Sequence, residues 1–342
     1  MDQTSPRPVA LVAGGSRGLG LLVAQELAER GHDVAICARD RAAAAEGAQV
    51  AERDARAAAG AGAGRVTAYS CDVSDRDDVR RLVADVERDL GPVDVLIHVA
   101  GIIQVGPAET NTLEHFDDAI GVMLMGPINT AWAVLPGMRQ RRHGRIGVVT
   151  SIGGKLPSPH MLPYTTAKFG AVGFTEALSA ELVGTGVTAT TIVPGFMRTG
   201  SPENALFTGD RDGEYAWFAP SASLPLLTTD PHLAARAMVR AVLAGKPVLE
   251  LTPLTVLGTR FHGLAPATTV RIVKAVVHFL PDAPGLPDDS VARPGRESAA
   301  RLGTGVVHRL TVLGRRAAEK LNQRGPTAIR GTEEEKEFAA SE

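Results

Sequence analysis

Sulfur, aromatic rings, net charge and long apolar runs are all in short supply in this chain of 342 residues. Its two cysteines, Cys37 and Cys71, lie in apolar strand-like runs with no ligand partner at metal spacing, so they read as reduced, buried thiols and no metal site is expected. A net charge of −2 offers a polyanion little to hold, which speaks against a nucleic-acid partner. No uncharged apolar stretch reaches the roughly eighteen residues of a membrane span. Residues Met1 to Arg7 also lack the charged-then-apolar order of a signal peptide, so a cytoplasmic location is expected. What remains, 44 % apolar and 22 % charged, is ordinary for a soluble globular enzyme, and the length accommodates one large domain or two.

Short apolar runs alternate with longer helical patterns. Strands are expected at Val9–Val12, Val34–Cys37, Val66–Cys71, Val93–Val99, Ile146–Thr150, Val187–Val193 and Val248–Leu251. Alternation of this kind predicts an α/β fold: a doubly wound, parallel, seven-stranded sheet of Rossmann type, followed by a helical C-terminal extension. Ser74 reads as an N-cap and Pro231 as a first-turn proline.

The first strand runs into Ala13-Gly14-Gly15-Ser16-Arg17-Gly18-Leu19-Gly20 and then into an amphipathic helix pattern. Strand, glycine turn and helix together let backbone N–H groups and a positive helix end approach a diphosphate, so Gly14, Ser16, Arg17, Gly18, Leu19 and Gly20 are candidate coenzyme contacts. The second strand ends in Ala38-Arg39-Asp40, where a dinucleotide site ordinarily sets an acid against the ribose 2′-hydroxyl. Ala38 holds that place here. Arg39 and Arg17 could then clamp a 2′-phosphate, which favours NADP(H) over NAD(H); the plainer alternative is two exposed loop arginines beside Asp40.

Farther along stands Tyr164-Thr165-Thr166-Ala167-Lys168, with Ser151 thirteen residues upstream. Helical spacing puts the phenol and the ammonium on one face, where the cation should lower the phenol pKa; the alternative is a surface helical pair. With these marks the chain resembles the short-chain dehydrogenase/reductase family, over about residues 7 to 250. The resemblance implies that Ser151, Tyr164 and Lys168 are catalytic, with Tyr164 and Lys168 also touching coenzyme. It implies further coenzyme contacts at Asp72 and Val73 near adenine, at Ala100 and Gly101, at Pro194 and Gly195, and at Thr199 near the carboxamide. Two positions depart from the family pattern. His98-Val99 replaces a pair of asparagines, and Met123 stands where an asparagine anchors a proton-relay water. A thioether is a weak acceptor and no donor, so the relay is in question.

Residues Phe196 to Thr229 carry Phe207, Tyr215, Trp217 and Phe218 in a chain that is only 4 % aromatic, and are expected as a substrate lid with an apolar pocket wall, or else as a locally packed loop. Beyond the catalytic domain, 1–250, a basic helical extension is expected over 251–330 and an acidic mobile tail over 331–342. Arg271, Lys274 and His278 share a face of an amphipathic segment, Thr268–Leu280, that packs on the enzyme or a second subunit, or lies on an anionic membrane. Pro281–Pro294 reads as a linker. The expectation is thus an NADP(H)-dependent oxidoreductase interconverting a small-molecule carbonyl and a secondary alcohol, a homo-oligomer by resemblance. The alternative is a regulatory or scaffold protein of the same fold, its catalysis weakened by Met123.

Overall fold

The computed structural model describes residues 7–223, 228–303 and 305–323. The acidic segment 331–342 and residues 324–330 of the extension lie outside the described residues. Seven parallel strands form the central sheet: β1 (Val9–Ala13), β2 (Asp33–Ala38), β3 (Val66–Ser70), β4 (Val93–His98), β5 (Gly144–Val149), β6 (Val187–Val193) and β7 (Val248–Glu250). Their spatial order is β3-β2-β1-β4-β5-β6-β7, as the alternating pattern requires. Every side chain of β1 is buried, because helices cover both faces of the sheet. Ala10 and Val12 join one core layer, while Val9, Leu11 and Ala13 join the other.

On the first face lie α1 (Gly18–Glu29), α2 (Arg41–Ala59) and, after α7 and α8 below, α9 (Pro231–Leu243). On the second lie α3 (Arg76–Asp89), α5 (Gly126–Arg141) and α6 (Leu162–Glu181), with α4 (Leu113–Ile120) leading into α5. Between α4 and α5 the helix widens into a π-helical turn at Gly121–Met125, a local irregularity of the kind that often marks functional sites. The run 113–141 is long and apolar enough to cross a bilayer, but half of its apolar window is buried within the protein. Pro231 does open α9, behind an Asp230 cap. Ser74 is not a cap: the Asp75 carboxylate accepts from the N–H groups of Asp77 and Asp78, and Ser74 instead donates to Asp72. A carboxylate satisfies two amides and also complements the helix dipole.

The lid segment is mostly helical. It contains α7 (Ser201–Asn204) and α8 (Arg211–Ser221), and its aromatics pack inward: Phe207 and Tyr215 meet edge-on at 5.7 Å, as do Phe207 and Phe218 at 5.9 Å. Three of the four aromatics are therefore a small core of their own, and of these four only Phe218 also faces the cleft, so the packed-loop alternative describes the segment better.

The extension begins with α10 (Pro253–Leu264) and α11 (Pro266–Val277), a hairpin that stands largely in solvent. The stretch after it is pinned, not free. Arg211 and the N–H of Gly209 bond to Asp288, Val291 and Asp289, and Arg293–Pro294 adds an antiparallel strand to Leu206–Phe207. Then α12 (Gly295–Leu302), α13 (Val306–Leu310) and α14 (Val312–Lys320) fold back over the lid, with Arg301 bidentate on Asp212.

Candidate active site

A cleft of about 410 Å³ opens beyond the carboxyl ends of the strands, where β1 and β4 part in opposite directions. All seventeen residues singled out in the sequence line it. Gly14, Ser16, Arg17, Gly18, Leu19 and Gly20 form one end with Arg39, Asp72 and Val73. Ala100, Gly101, Pro194, Gly195 and Thr199 follow, and Ser151, Tyr164 and Lys168 stand in the middle. Ile102, Ile103, Met161, Phe196 and Phe218 make the other end apolar.

The glycine turn has the shape a dinucleotide needs. Gly14 adopts φ +85°, and a Cβ there would stand 2.6 Å from the backbone nitrogen of Ala100. A Cβ on Gly20 would fall 1.9 Å from the carbonyl of Gly14, so the turn tolerates no side chain at either place. The N–H groups of α1 then face the cleft with the positive end of the helix dipole. Asp40, the acid that follows Arg39, caps α2 by accepting from Ala42 and Ala43 at 2.8 and 3.1 Å, and does not line the cleft. Arg17 instead feels positive neighbours: burial, then Arg39, then Arg296 lower its pKa. Arg17 and Arg39 thus line the end of the cleft where a ribose phosphate would lie, and the charge of Arg296 reaches Arg17 from outside the lining.

At the centre, Lys168 is 5 % exposed and donates to the carbonyl of Val149 at 2.9 Å, with its ammonium 5.8 Å from the Tyr164 ring centre. Burial lowers its pKa to about 8. Burial raises the Tyr164 phenol pKa, and a hydrogen bond with Ser151 offsets part of that rise. The expected lowering of the phenol by Lys168 is therefore corrected. Burial acts on both groups, and for the phenol desolvation outweighs the bond with Ser151. A phenol that keeps its proton is suited to giving it away.

Met123 is 1 % exposed and packs beside Tyr164 and Ala167. A Cβ on Gly101 would stand 3.5 Å from its sulfur and 3.8 Å from Lys168 Nζ, so the thioether occupies the neighbourhood of the ammonium. His98 is no substitute relay. It lies buried with Nδ1 on Thr130 at 3.2 Å, outside the cleft lining, and burial followed by the charge of Lys168 lowers its pKa to about 3.

A short chain dehydrogenase family model matches residues 8–206. This chain belongs to the short-chain dehydrogenase/reductase family, and is an oxidoreductase by that membership. The chain is 37 % identical to a putative ketoacyl reductase of Streptomyces coelicolor over 198 residues, which is 57 % of this chain and 73 % of that one. It is 36 % identical to an acetoacetyl-CoA reductase of Rhizobium meliloti over 191 residues, 56 % of this chain and 74 % of the relative. Among solved structures, a Streptomyces avermitilis short-chain dehydrogenase superposes with TM-score 0.66 at 26 % identity, covering 82 % of this chain and 99 % of its own. An actinorhodin polyketide ketoreductase variant solved with NADPH superposes with TM-score 0.60 at 30 % identity, covering 72 % and 95 %.

Two features in and beside the site escaped sequence reasoning. One is the Leu321–Gln323 segment, which reaches the glycine turn from the far end of the chain; the only local signal is Asn322, a residue type that tolerates the positive φ of 52° found there. The other is the buried carboxylate of Glu214 on α8, which holds His160 Nδ1 at 2.5 Å and accepts from Trp217 at 2.6 Å. Since His160 lies in the loop between Ser151 and Tyr164, this pair moors the lid to the catalytic loop. Glu214→Ala should lower stability by about 2–4 kcal/mol, the cost of stranding two buried polar partners. Urea unfolding checks it, and an unchanged midpoint would mean that the mooring carries no weight.

Proposed function

We propose that the protein is an NADP(H)-dependent reductase that interconverts a carbonyl and a secondary alcohol, with Tyr164 as general acid. The observation that carries the reading is the half-buried Tyr164 phenol set with Ser151 and buried Lys168, in the cleft that the glycine turn closes. When bound, the nicotinamide supplies the hydride to the carbonyl carbon. Ser151 donates to the carbonyl oxygen and fixes its position. Tyr164 gives that oxygen its proton, and Lys168 supplies positive charge as the phenolate forms.

NADPH is favoured by Arg17 and Arg39 in the cleft lining and by the commitment of Asp40 to its helix cap. The apolar end of the cleft suits a ketone with a hydrocarbon tail. The names of the relatives put 3-oxoacyl compounds first in a substrate panel. The second reading, a cofactor-binding scaffold with weak catalysis, is favoured by the thioether of Met123 beside Lys168, where a water would need a donor and an acceptor.

A homo-oligomer and a membrane contact complete the proposal. Exposed Trp132 and Phe169 on α5 and α6 favour self-association there. The α10–α11 hairpin is assigned to an anionic bilayer surface. Ten large apolar side chains between Leu254 and Phe279 are exposed, among them Leu257, Phe261 and Leu264 on the outward face of α10. No Asp or Glu occurs between residues 251 and 281, and Arg271 and Lys274 form no ion pair among the described residues. A two-fold contact between copies would set these like charges against each other, whereas anionic lipid would attract each by about 1 kcal/mol.

Three outcomes are expected. Tyr164→Phe abolishes ketone reduction in a panel read at the nicotinamide band with NADPH and NADH, while leaving NADPH binding intact. In the parent, reduction falls as pH rises through about 8 and Lys168 loses its charge, and oxidation climbs with pH; equal rates in mutant and parent reject the assignment. Met123→Asn raises turnover by about tenfold or more if proton supply limits it, and no change discards the impaired-relay reading. The full chain floats with phosphatidylglycerol vesicles and not with phosphatidylcholine, and Leu257→Glu with Phe261→Glu abolishes flotation; a parent that stays with the soluble fraction, or that only dimerises through the hairpin, ends the membrane assignment.

A further inference from the structure

The chain leaves α14 through Leu321, turns at Asn322 and lays Gln323 against the start of α1. The carbonyl of Leu321 accepts from the Gly18 N–H at 2.7 Å, and the Asn322 side chain donates to the carbonyl of Ser16 at 3.3 Å. Gln323 is 8 % exposed, and yet it lines the cleft. Its Oε1 accepts from the N–H of Gly200 at 2.7 Å, while its own carbonyl accepts from Asn204 at 2.8 Å.

That bond to Gly200 decides which way the amide faces. An N–H can only be met by the amide oxygen, so the NH₂ end is forced to the opposite side. There Nε2 forms no hydrogen bond among the described residues, and a Cβ on Gly18 would stand 2.8 Å from it. Two N–H bonds are left over, in a buried side chain, at the mouth of the glycine turn. Next to them the N–H groups of Leu19 and Gly20 open α1 without a backbone acceptor outside the helix among the described residues. Backbone donors, helix dipole and a fixed side-chain amide converge on one spot, and an anion is the chemistry that satisfies them.

We propose that Gln323 donates its side-chain amide to the diphosphate of the coenzyme, which makes the C-terminal extension part of the coenzyme site. This rests on the dinucleotide reading of the cleft. The diphosphate is common to NADPH and NADH, whereas the 2′-phosphate belongs to NADPH alone, so the two coenzymes separate this contact from the two arginines.

The test is direct binding to the full chain, by nucleotide fluorescence or calorimetry, with no turnover needed. Gln323→Glu keeps the size and the acceptor for Gly200 but turns a carboxylate toward the diphosphate. Gln323→Met fills the space without a donor. Both should raise the Kd for NADPH and for NADH by a common factor, about tenfold for Met, the size of one hydrogen bond to a charged group, and more for Glu. Thermal melting of the unliganded variants shows whether they fold, and the neutral Met variant carries the test if Glu unseats α14. Unchanged affinity in a folded Met variant overturns the proposal, as does a loss confined to NADPH. A parent chain that binds neither coenzyme overturns the function reading itself, whereas tight parent binding with unaffected variants overturns this contact alone.

Discussion

Two crossover loops meet where β1 and β4 part, and the space between them is set by backbone, not by side chains. Gly14 approaches the Ala100 nitrogen so closely that a methyl group could not be placed there, and Gly20 sits as tightly against Gly14. Every other part of the site depends on this contact. It aims α1 at the cleft, it leaves Gly101 level with Lys168, and it defines the edge against which the lid and the extension close.

Above that floor the site is a dry one. Lys168 hangs from the carbonyl of Val149, and Tyr164 has Ser151 for its polar contact and Met123 for its apolar one. Desolvation governs both titrating groups, moving the phenol up from its ordinary value and the ammonium down to about 8, so their pKa values move apart as water is removed. Charge on the pair becomes more favourable only as neighbouring positive charge or a developing oxyanion enters.

The sheet and the cleft were legible in the sequence because they rest on period and on glycine. The inner strands are buried and draw mostly on Val, Ile, Leu and Ala, and a turn without side chains needs Gly, so both leave a mark in the residues themselves. What depended on three-dimensional neighbours was not legible. The aromatics of 207–218 look the same in sequence whether they wall a pocket or pack on one another, and only their edge-on contacts decide it. The Tyr164-to-Lys168 spacing gives direction but not depth, and depth sets the sign of the phenol shift. Asp75 and Ser74 are both good caps, and local geometry chose the acid. The roles of Glu214 and Gln323 could not be read because each meets partners far along the chain.

The Asn322 bond to Ser16 spans 306 positions of sequence. Joining such distant segments is entropically costly and slow compared with local pairing, so the sheet can form well before that junction does. Synthesis delivers the nucleotide turn long before α14, and a chain halted ahead of Leu321 would own the Rossmann framework without the Gly18 and Ser16 bonds that finish its rim.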